Sequence, residues 1–534
     1  MKQHHSKFSP GHFLINHKQI INILTFSFIF SYFLIGQNLQ AKWWFVDDHE
    51  IFNFLGEDHR LTIAEFIPTL LSTEVGQYGQ ALRYRPGYYF LKLSETMIFR
   101  DNPFLWYLFS YLVLSVSMSI TLYLISLIVP IWLAIVAILF IFTGNYWADI
   151  FTRLGPSEIY AVLGCSLFSL GYYGLIKHPT KLNWLWQLLL LIGFCIAVGV
   201  KENFLILLLP CLYLFIYLFY KHRITPLLIV SLLIIIAFSL LVSSSILLAT
   251  SKAGYGMYMT NTNYTTRLLT SLNSIKPFIL SYPVIVWIIG SFILITVNHF
   301  FHKDKFSQII HLTLISGFIM VNLLIVYGSQ TFFYNGIYPT QSRYDFPGML
   351  APTFVIFTVI WYFMKIINLF IKKKYWPWVT TICVLILLFS ALHRGYDTIR
   401  LKSYQNVERT TRFTNYIQNL VNYLKTQPDA DIVFVVRQPA SDIEMVVSLA
   451  RYLRYYHIRD NLFIYNDFNP QALSGIELEN GQLLINLAKG NSIINSLNGP
   501  RFNDINSLRN GQCLIIYGSP IVTLNCQRLE PYAP

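Results

Sequence analysis

An acidic cluster, Asp47, Asp48, His49 and Glu50, stands shortly after the first apolar run, in the segment WWFVDDHEIFNF. Carboxylates this close raise one another's pKa unless cations, hydrogen bonds or a metal compensate. Such a group suits a general base that takes a proton from a hydroxyl, or a site that holds a divalent cation through oxygen atoms. The plainer interpretation is a solvated loop whose acids begin a helix. We predict Asp47, Asp48 and Glu50 as catalytic residues.

Charged side chains recur at four later places, in RYRPGYY, FTRLGPSEIY, VGVKENF and QSRYDFPG. The guanidinium of arginine is well suited to binding a phosphate through two hydrogen bonds. Each place also has a structural explanation, since basic side chains reach toward lipid headgroups, acids begin helices and neighbouring charges pair locally. The residues predicted to bind a phosphate or another substrate group are Arg83, Arg85, Arg153, Glu158, Lys201, Glu202, Arg343 and Tyr344.

A metal site and a disulfide are both left open by the sequence. The chain has no Cys-x-x-Cys or Cys/His spacing typical of zinc sites, and no cofactor is predicted with certainty. A divalent cation at Asp47, Asp48 and His49 is an alternative to compensation by the basic side chains. Cys513 and Cys526 flank a strand-turn-strand pattern and are either two free thiols or a disulfide, if this end of the chain is extracytoplasmic.

The elements that carry these residues are long apolar runs. Of the 534 residues 54% are hydrophobic and only 12% are charged, and the charges are bunched between the runs. Because a helix needs roughly 20 apolar residues to cross a bilayer, the pattern predicts an α-helical polytopic membrane protein of about eleven transmembrane helices. They lie near 19–37, 104–126, 129–147, 157–176, 184–200, 203–220, 225–249, 277–297, 307–328, 346–369 and 377–393.

The orientation follows from the basic residues, which accumulate in the cytoplasmic loops of membrane proteins. This topology explains the net charge of +13 better than a nucleic-acid partner does, since the basic residues form no continuous stripe. A cytoplasmic N-terminus puts a first outer loop of about 38–103, and every motif above, on the extracytoplasmic side. The predicted cytoplasmic loops then hold Lys177 and Lys181, Lys221 and Arg223, Lys303 and Lys305, and Lys372, Lys373 and Lys374.

The chain divides into a transmembrane domain, 1–395, and a soluble extracytoplasmic α/β domain, 396–534. In the second part DIVFVV and NLFIYN are typical of strands and SDIEMVVSLARYLRYY of an amphipathic helix, which predicts a β-α-β unit with an antiparallel edge at 513–526. No Gly-rich phosphate loop follows the first strand. We therefore assign this domain no catalysis and interpret it as a packing or recognition module.

Several of these motifs resemble those of the GT-C superfamily of membrane glycosyltransferases, which includes protein O-mannosyltransferases and aminoarabinose transferases. VDDHEIF is similar to the acidic motif of their first outer loop, with Asp47 as the leading acid and Asp48 as its partner. RYRPGYY is similar to a following basic-Pro motif, with Arg85 at the basic position, and RLGPSE, KEN and RYDFP to later motifs. The likeness covers roughly 20–395, but the chain has Asp-Asp instead of Asp-Glu and Arg-Pro-Gly instead of Arg-Pro-Pro.

The resemblance implies a multi-pass enzyme of a bacterial inner or plasma membrane that uses polyprenyl-phosphate sugars. We expect a hexosyl- or pentosyltransferase that moves the sugar to an acceptor hydroxyl by an inverting displacement, with Asp47 as base. The acceptor is a glycan, a lipid or a protein, and membrane lipid surrounds the chain. Asp48 and Glu50 would orient the acceptor or share a divalent cation.

Three other functions remain open. A lipid or solute transporter would carry charged residues near the bilayer midplane, where these spans have essentially none. An O-antigen-type polymerase or ligase is expected to centre its site on a large later outer loop. A membrane anchor that presents the C-terminal domain would not need the acids of the first loop.

Overall fold

The chain is a polytopic helical membrane protein, as the apolar pattern predicts. The computed structural model describes residues 17–81, 83–177, 183–253, 264–301, 303–333, 343–370, 381, 396–426, 431–436, 439–458, 462–466, 478–479, 482–483, 513–517, 522–525 and 531–532. Within these ranges nine helices are long and apolar enough to cross a membrane, and a bent pair makes a tenth if it counts as one span. The predicted span 377–393 lies outside the described ranges, apart from residue 381.

The α-helices of the described residues range in length from 7 to 31 residues. They are α1 His17–Ile35, α2 His49–Leu55, α3 Ile63–Ser72, α4 Pro86–Phe99, α5 Pro103–Ser126, α6 Ile131–Phe142, α7 Asn145–Phe151, α8 Glu158–Lys177, α9 Asn183–Val200, α10 Leu208–Tyr220, α11 Pro226–Ala253, α12 Tyr264–Ile279, α13 Tyr282–Phe301, α14 Lys303–Phe333, α15 Leu350–Phe370, α16 Tyr396–Thr426 and α17 Pro439–Tyr455. Three 3₁₀ turns, Gly36–Gln40, Glu202–Leu207 and Arg343–Asp345, complete the helical part.

The predicted span 129–147 is a bent pair of helices. Helix α6 ends at Phe142, and α7 leaves it at an angle of 72°. Gly144 precedes α7 as its N-cap residue, and the indole nitrogen of Trp147 donates to the carbonyl oxygen of Ile141 across the bend at 2.8 Å. The bend turns α7 toward the first loop, where Asn38 donates to the carbonyl of Phe151.

Helices α8 and α9 pack with their backbones almost in contact, because glycines face each other along the seam. A Cβ atom at Gly164 would lie 2.7 Å from the backbone nitrogen of Ala197, and one at Gly193 would lie 2.3 Å from that of Phe168. Small residues permit this approach, which drives helix association where water supplies no hydrophobic force. The close seam brings the start of α8 beside the end of α9.

The first loop folds back onto the bundle instead of extending into solvent. Its central cluster of buried side chains includes Trp43, Phe45 and Phe52, and it continues into α16 and α17 through Phe413 and Tyr452. Further hydrogen bonds fix α16 to this loop: the backbone nitrogen of Lys42 donates to Thr410, and Asn406 donates to Asn38 and to Tyr107. The two C-terminal helices therefore share a core with the loop that carries the acidic cluster.

The described strands all occur after α16 and are β1 Asp431–Val436, β2 Leu462–Asn466, β3 Leu478–Glu479, β4 Gln482–Leu483, β5 Cys513–Tyr517, β6 Val522–Asn525 and β7 Pro531–Tyr532. Parallel pairing joins β1 to β2 on one side and to β5 on the other, and antiparallel pairing joins β5 to β6 and β6 to β7. A separate antiparallel pair is formed by β3 and β4. Cys526, and with it the disulfide prediction, lies outside the described residues.

Candidate active site

Asp47 stands between two arginines from distant parts of the chain. Its Oδ2 atom is 2.5 Å from Nη2 of Arg153, which follows α7, and 3.8 Å from Nη1 of Arg343. Burial alone would raise the pKa of Asp47, but the charges of Arg153 and Arg343 outweigh it and lower the pKa below its usual value. The carboxyl is about one-quarter exposed, at 25%. Asp47 is therefore an ionised group that a ligand can reach.

The backbone around Asp47 is specialised for this position. Asp47 has a φ of 73°, in the left-handed region that costs most non-glycine residues free energy. Gly155 lies directly against its side chain, and a Cβ atom at residue 155 would be 2.2 Å from Cβ of Asp47. The glycine of the RLGPSE segment thus makes room for the acid of the first loop.

Asp48 is in a different environment from its neighbour. It is 2% exposed, and its Oδ2 atom accepts a hydrogen bond from the backbone nitrogen of Trp44 at 2.7 Å. Burial raises the pKa of Asp48 to about 7, although this hydrogen bond and the charge of Lys92 oppose the rise. Asp48 therefore closes the loop onto itself, and its carboxyl keeps a proton to a higher pH than an exposed aspartate does.

His49 and Glu50, at the start of α2, face the C-terminal helix α17. Nδ1 of His49 is 2.8 Å from the hydroxyl of Ser448, and burial with the charge of Arg451 lowers the His49 pKa to about 3, so the ring is neutral. Glu50 is half-buried and accepts a hydrogen bond from the hydroxyl of Tyr88 at 3.3 Å. Burial also raises the pKa of Glu50. Arg451 is thus a further charge at the site.

A buried ion pair stands behind Asp47. Nζ of Lys201 is 2.5 Å from Oε1 of Glu158, and both side chains are almost fully inaccessible. Removing one partner of such a pair generally costs about 3–5 kcal/mol, because a buried charge is left alone. Nζ of Lys201 also lies 5.6 Å from the ring centre of Tyr344, which is partly exposed. The ion pair joins the start of α8 to the end of α9 and thereby stabilises the backbone around the site.

Arg343 connects this pair with the acid of the first loop. Burial opposes its charge, but Glu158 and Asp47 raise the pKa of Arg343. Its Nη2 atom donates to the hydroxyl of Tyr344 at 3.2 Å. Its Nη1 atom is buried and forms no hydrogen bond with the part of the chain that the structure describes. This guanidinium keeps a donor available for an anion.

The structure brings Asp47, Arg153, Arg343, Glu158 and Lys201 into one network, whereas other predicted residues stand apart from it. Arg85 is bound by Glu74 through two hydrogen bonds, of 3.0 and 2.7 Å, and lies over the ring of Tyr88. Arg83 is half-buried two residues earlier. Glu202 begins a 3₁₀ turn, and its Oε2 atom is buried without a hydrogen bond to any described residue.

The predicted metal ligands do not form a ligand set. Asp47 turns to Arg153, Asp48 to the backbone of Trp44 and His49 to Ser448. Among the residues that the structure describes, no three His, Cys, Asp or Glu side chains are grouped so that they could hold an ion. Arg153 and Arg343 compensate the charge of Asp47, whereas Asp48 accepts a hydrogen bond from the backbone nitrogen of Trp44.

Sequence reasoning missed residues that hold the site together. Asn203 donates to Gln330 and to the carbonyl of Phe346, both at 2.8 Å, and Gln330 donates to the carbonyl of Tyr344. Lys92 is fully buried and donates to the carbonyl of Leu154 at 3.0 Å. A buried polar residue inside an apolar run is a signal that could have found Gln330, and the KEN motif already contains Asn203.

Ser448 and Arg451 gave no such signal, because they belong to the helix of a predicted separate domain. Comparison of the chain with known protein families, with curated proteins and with solved structures found no match.

Proposed function

We propose that the protein is a membrane glycosyltransferase of the GT-C type that uses a polyprenyl-phosphate sugar as donor. One observation carries the proposal: the accessible carboxylate of Asp47 is held ionised between Arg153 and Arg343 at one end of the helix bundle. A carboxylate beside a guanidinium with a spare donor suits a reaction that takes a proton from one substrate and gives negative charge to another.

In the proposed step Asp47 accepts the proton of the acceptor hydroxyl. The acceptor oxygen forms a bond to the anomeric carbon as the bond from that carbon to the phosphate oxygen breaks. The electron pair of the broken bond leaves with the polyprenyl phosphate, which gains one negative charge, and the configuration at the anomeric carbon inverts. Because Asp47 is a weak base in its ground state, proton transfer is concerted with formation of the new bond.

The departing phosphate is assigned to Arg343. Lys201 is already paired with Glu158, and Arg85 is already paired with Glu74, so neither has a charge to spare without losing a partner. Nη1 of Arg343 has no hydrogen bond within the described part of the chain and lies 3.8 Å from the proposed base. The growing charge on the phosphate would therefore meet a preorganised donor. Arg153 would keep Asp47 oriented.

The sidedness and the domain organisation belong to the same proposal. With the N-terminus in the cytoplasm, the acidic cluster, the breaks at 153–158 and 201–203 and the segment 343–346 lie on the extracytoplasmic side of a bacterial inner or plasma membrane. Residues 396–534 form an α/β domain on that side, and α16 and α17 dock it on the first loop. A glycan, a lipid or a protein provides the acceptor hydroxyl.

The proposal is tested with membranes that contain the wild type, Asp47→Asn or Asp149→Asn. Radiolabelled polyprenyl-phosphate sugars are supplied, and both transfer of the label and release of polyprenyl phosphate are measured. Asp149 is a matched control, since it forms a 2.8 Å ion pair with Lys402 outside the network. We expect Asp47→Asn to lose about 10²–10⁴-fold in rate, as removal of a general base does, and Asp149→Asn to retain activity.

Equal transfer by folded wild type and Asp47→Asn would exclude Asp47 as the base. Consumption of no polyprenyl donor by the wild type, together with movement of a solute across the membrane, would replace the glycosyltransferase by a transporter.

A further inference from the structure

The carboxyl of Glu50 and the guanidinium of Arg451 are both half-buried and lie within electrostatic reach of each other without forming an ion pair. The charge of Arg451 favours the ionised form of Glu50, and the charge of Glu50 favours that of Arg451, so the two groups are within electrostatic reach. Within the described residues, however, they form no ion pair or hydrogen bond with each other. Among the residues that the structure describes, Nε of Arg451 is buried without a hydrogen-bond partner, and Glu50 accepts a single long bond, from Tyr88 at 3.3 Å.

The missing ion pair between Glu50 and Arg451 is not due to loose packing of helix α17. One residue after Arg451, the hydroxyl of Tyr452 donates to the carbonyl of Trp44 at 2.7 Å. Three residues before it, Ser448 is 2.8 Å from Nδ1 of His49. The ring of Tyr452 also packs 4.4 Å from that of Phe52. Helix α17 is therefore fixed on α2 on both sides of the unpaired groups.

Leaving a buried donor unpaired costs free energy, so the retention of Arg451 beside a carboxyl with which it forms no ion pair points to a ligand that contacts both. That ligand must accept a hydrogen bond from a guanidinium and donate one to a carboxylate. Hydroxyl groups do both, and neighbouring hydroxyls of a sugar ring can meet the two side chains at once.

We propose that Glu50 and Arg451 form the acceptor subsite and that it takes a carbohydrate, so that the C-terminal helix α17 supplies part of the active site. This inference rests on the proposed transfer reaction and names the class of its acceptor. Other charges face Glu50 from α4 and from the first loop, namely Lys92, Arg85 and Asp47, and Glu444 of α17 feels the charges of Glu50 and Asp47. With Asp47, Glu50 and Glu444 nearby, a neutral sugar fits better than an acidic one.

Binding can be measured without the donor. Saturation-transfer NMR on the detergent-purified full chain would use a panel of neutral disaccharides, with glucuronic acid and a serine-containing peptide as the competing acceptor classes. We expect a neutral saccharide to bind the wild type and Arg454→Gln, and to bind Arg451→Gln at least about tenfold more weakly, the loss of one strong hydrogen-bonded contact. Arg454 is the matched control, because it lies on the same helix and pairs with Glu57 at 3.7 Å.

Kinetics separate acceptor binding from a general loss of structure. For Arg451→Gln we expect a raised KM for the saccharide, whereas Arg454→Gln should keep the wild-type KM and the wild-type slow hydrolysis of the donor by water. The thermal midpoint of Arg451→Gln without ligand should stay close to that of the wild type, since Nε of Arg451 has no hydrogen-bond partner among the described residues. Arg451→Lys keeps the charge without the fork and should recover little of the affinity.

The inference and the proposed function fail in different ways. Saccharide binding that Arg451→Gln leaves intact, or preferred binding of glucuronic acid or the peptide, would overturn the carbohydrate subsite while donor consumption still supports the transferase. Saccharide binding that depends on Arg451, in a protein that consumes no polyprenyl donor, would overturn the transferase and leave a carbohydrate-binding site.

Discussion

The two neighbouring acids of the first loop are separated by their environments. Asp47 is exposed to ligands and lies beside two guanidinium groups, which hold its pKa down, whereas Asp48 is enclosed and its pKa rises to about 7. Asp47 has a positive φ, its carboxyl contacts Arg153, and the carboxyl of the next residue accepts a hydrogen bond from the backbone nitrogen of Trp44. Two identical side chains can then perform different tasks, one in chemistry and one in loop structure.

Gly155 is expected to be as sensitive as the acid it touches. In Gly155→Ala the new Cβ would lie 2.2 Å from Cβ of Asp47, so the carboxyl must move. Displacement of a reacting group by about 1 Å can lower a rate on the order of 10²-fold. Sugar transfer is the measurement, and Gly317→Ala is the control, since its nearest atoms are at 3.4 Å. Full activity in folded Gly155→Ala would mean that Asp47 need not hold this position.

Asp48→Asn should change how stability depends on pH. The ordinary pKa of the group is 3.8, and in the folded chain it is about 7. Between these values the folded state keeps a proton that the unfolded state releases, so the stability of the wild type falls as pH rises, by on the order of 1 kcal/mol per unit. Asparagine does not titrate. We therefore expect the thermal midpoint of Asp48→Asn, relative to that of the wild type, to be higher at pH 8 than at pH 5. The same difference between the two proteins at both pH values would contradict the buried proton.

At the scale of elements, all the network residues lie where helices begin, end or break. Arg153 and Gly155 follow the bent pair α6–α7, Glu158 begins α8, Lys201 follows α9, and Arg343 lies in the 3₁₀ turn before α15. Breaks of this kind leave backbone groups unpaired and therefore attract polar side chains. The same breaks make the residues recognisable in the sequence, as charges between apolar runs.

The 3₁₀ turn that carries Arg343 is held by two buried amides, and Gln330→Ala should loosen it. The variant loses the bond from Asn203 and the bond to the carbonyl of Tyr344. We expect about tenfold weaker binding of polyprenyl phosphate, measured by displacement of a labelled lipid, because Arg343 is no longer preorganised. Gln187→Ala is the control, since Gln187 is equally buried and donates to Thr225 elsewhere. The same loss of affinity in both variants would indicate general destabilisation.

What the sequence could predict follows from these breaks. The apolar runs and the charges between them are local patterns, so the polytopic fold and the candidates Asp47, Arg153, Glu158, Lys201 and Arg343 could be identified. Pairing partners are not local. The partner of Arg85 is only 11 residues away, yet no pattern distinguishes Glu74 from other acids, and Ser448 meets His49 across 399 residues. The sequence therefore does not show which arginine has a donor free for a phosphate, because that depends on the neighbours of each arginine in the fold.

At the scale of the molecule, the first loop lies between two other parts of the same chain. One side rests on the ends of the membrane helices, through Asp47 and Arg153, and the other side carries α16 and α17. The predicted domain boundary at residue 395 would separate α16 from elements with which it shares a core. The side chains of α16 therefore contribute to the environment of the acidic cluster. A ligand that enters between the helix bundle and the C-terminal helices α16 and α17 would contact residues of both.

The two ends of the bundle provide the test of sidedness. Ser72 of the first loop and His222, in the turn after α10, are exposed at opposite ends, because α10 runs away from Lys201. In a background without the 6 native cysteines, Ser72→Cys should react with a membrane-impermeant maleimide in intact cells, and His222→Cys only after permeabilisation. The basic loops on the His222 side predict this orientation. The reverse labelling would put Asp47 in the cytoplasm, where its donor would have to present the sugar at the inner leaflet.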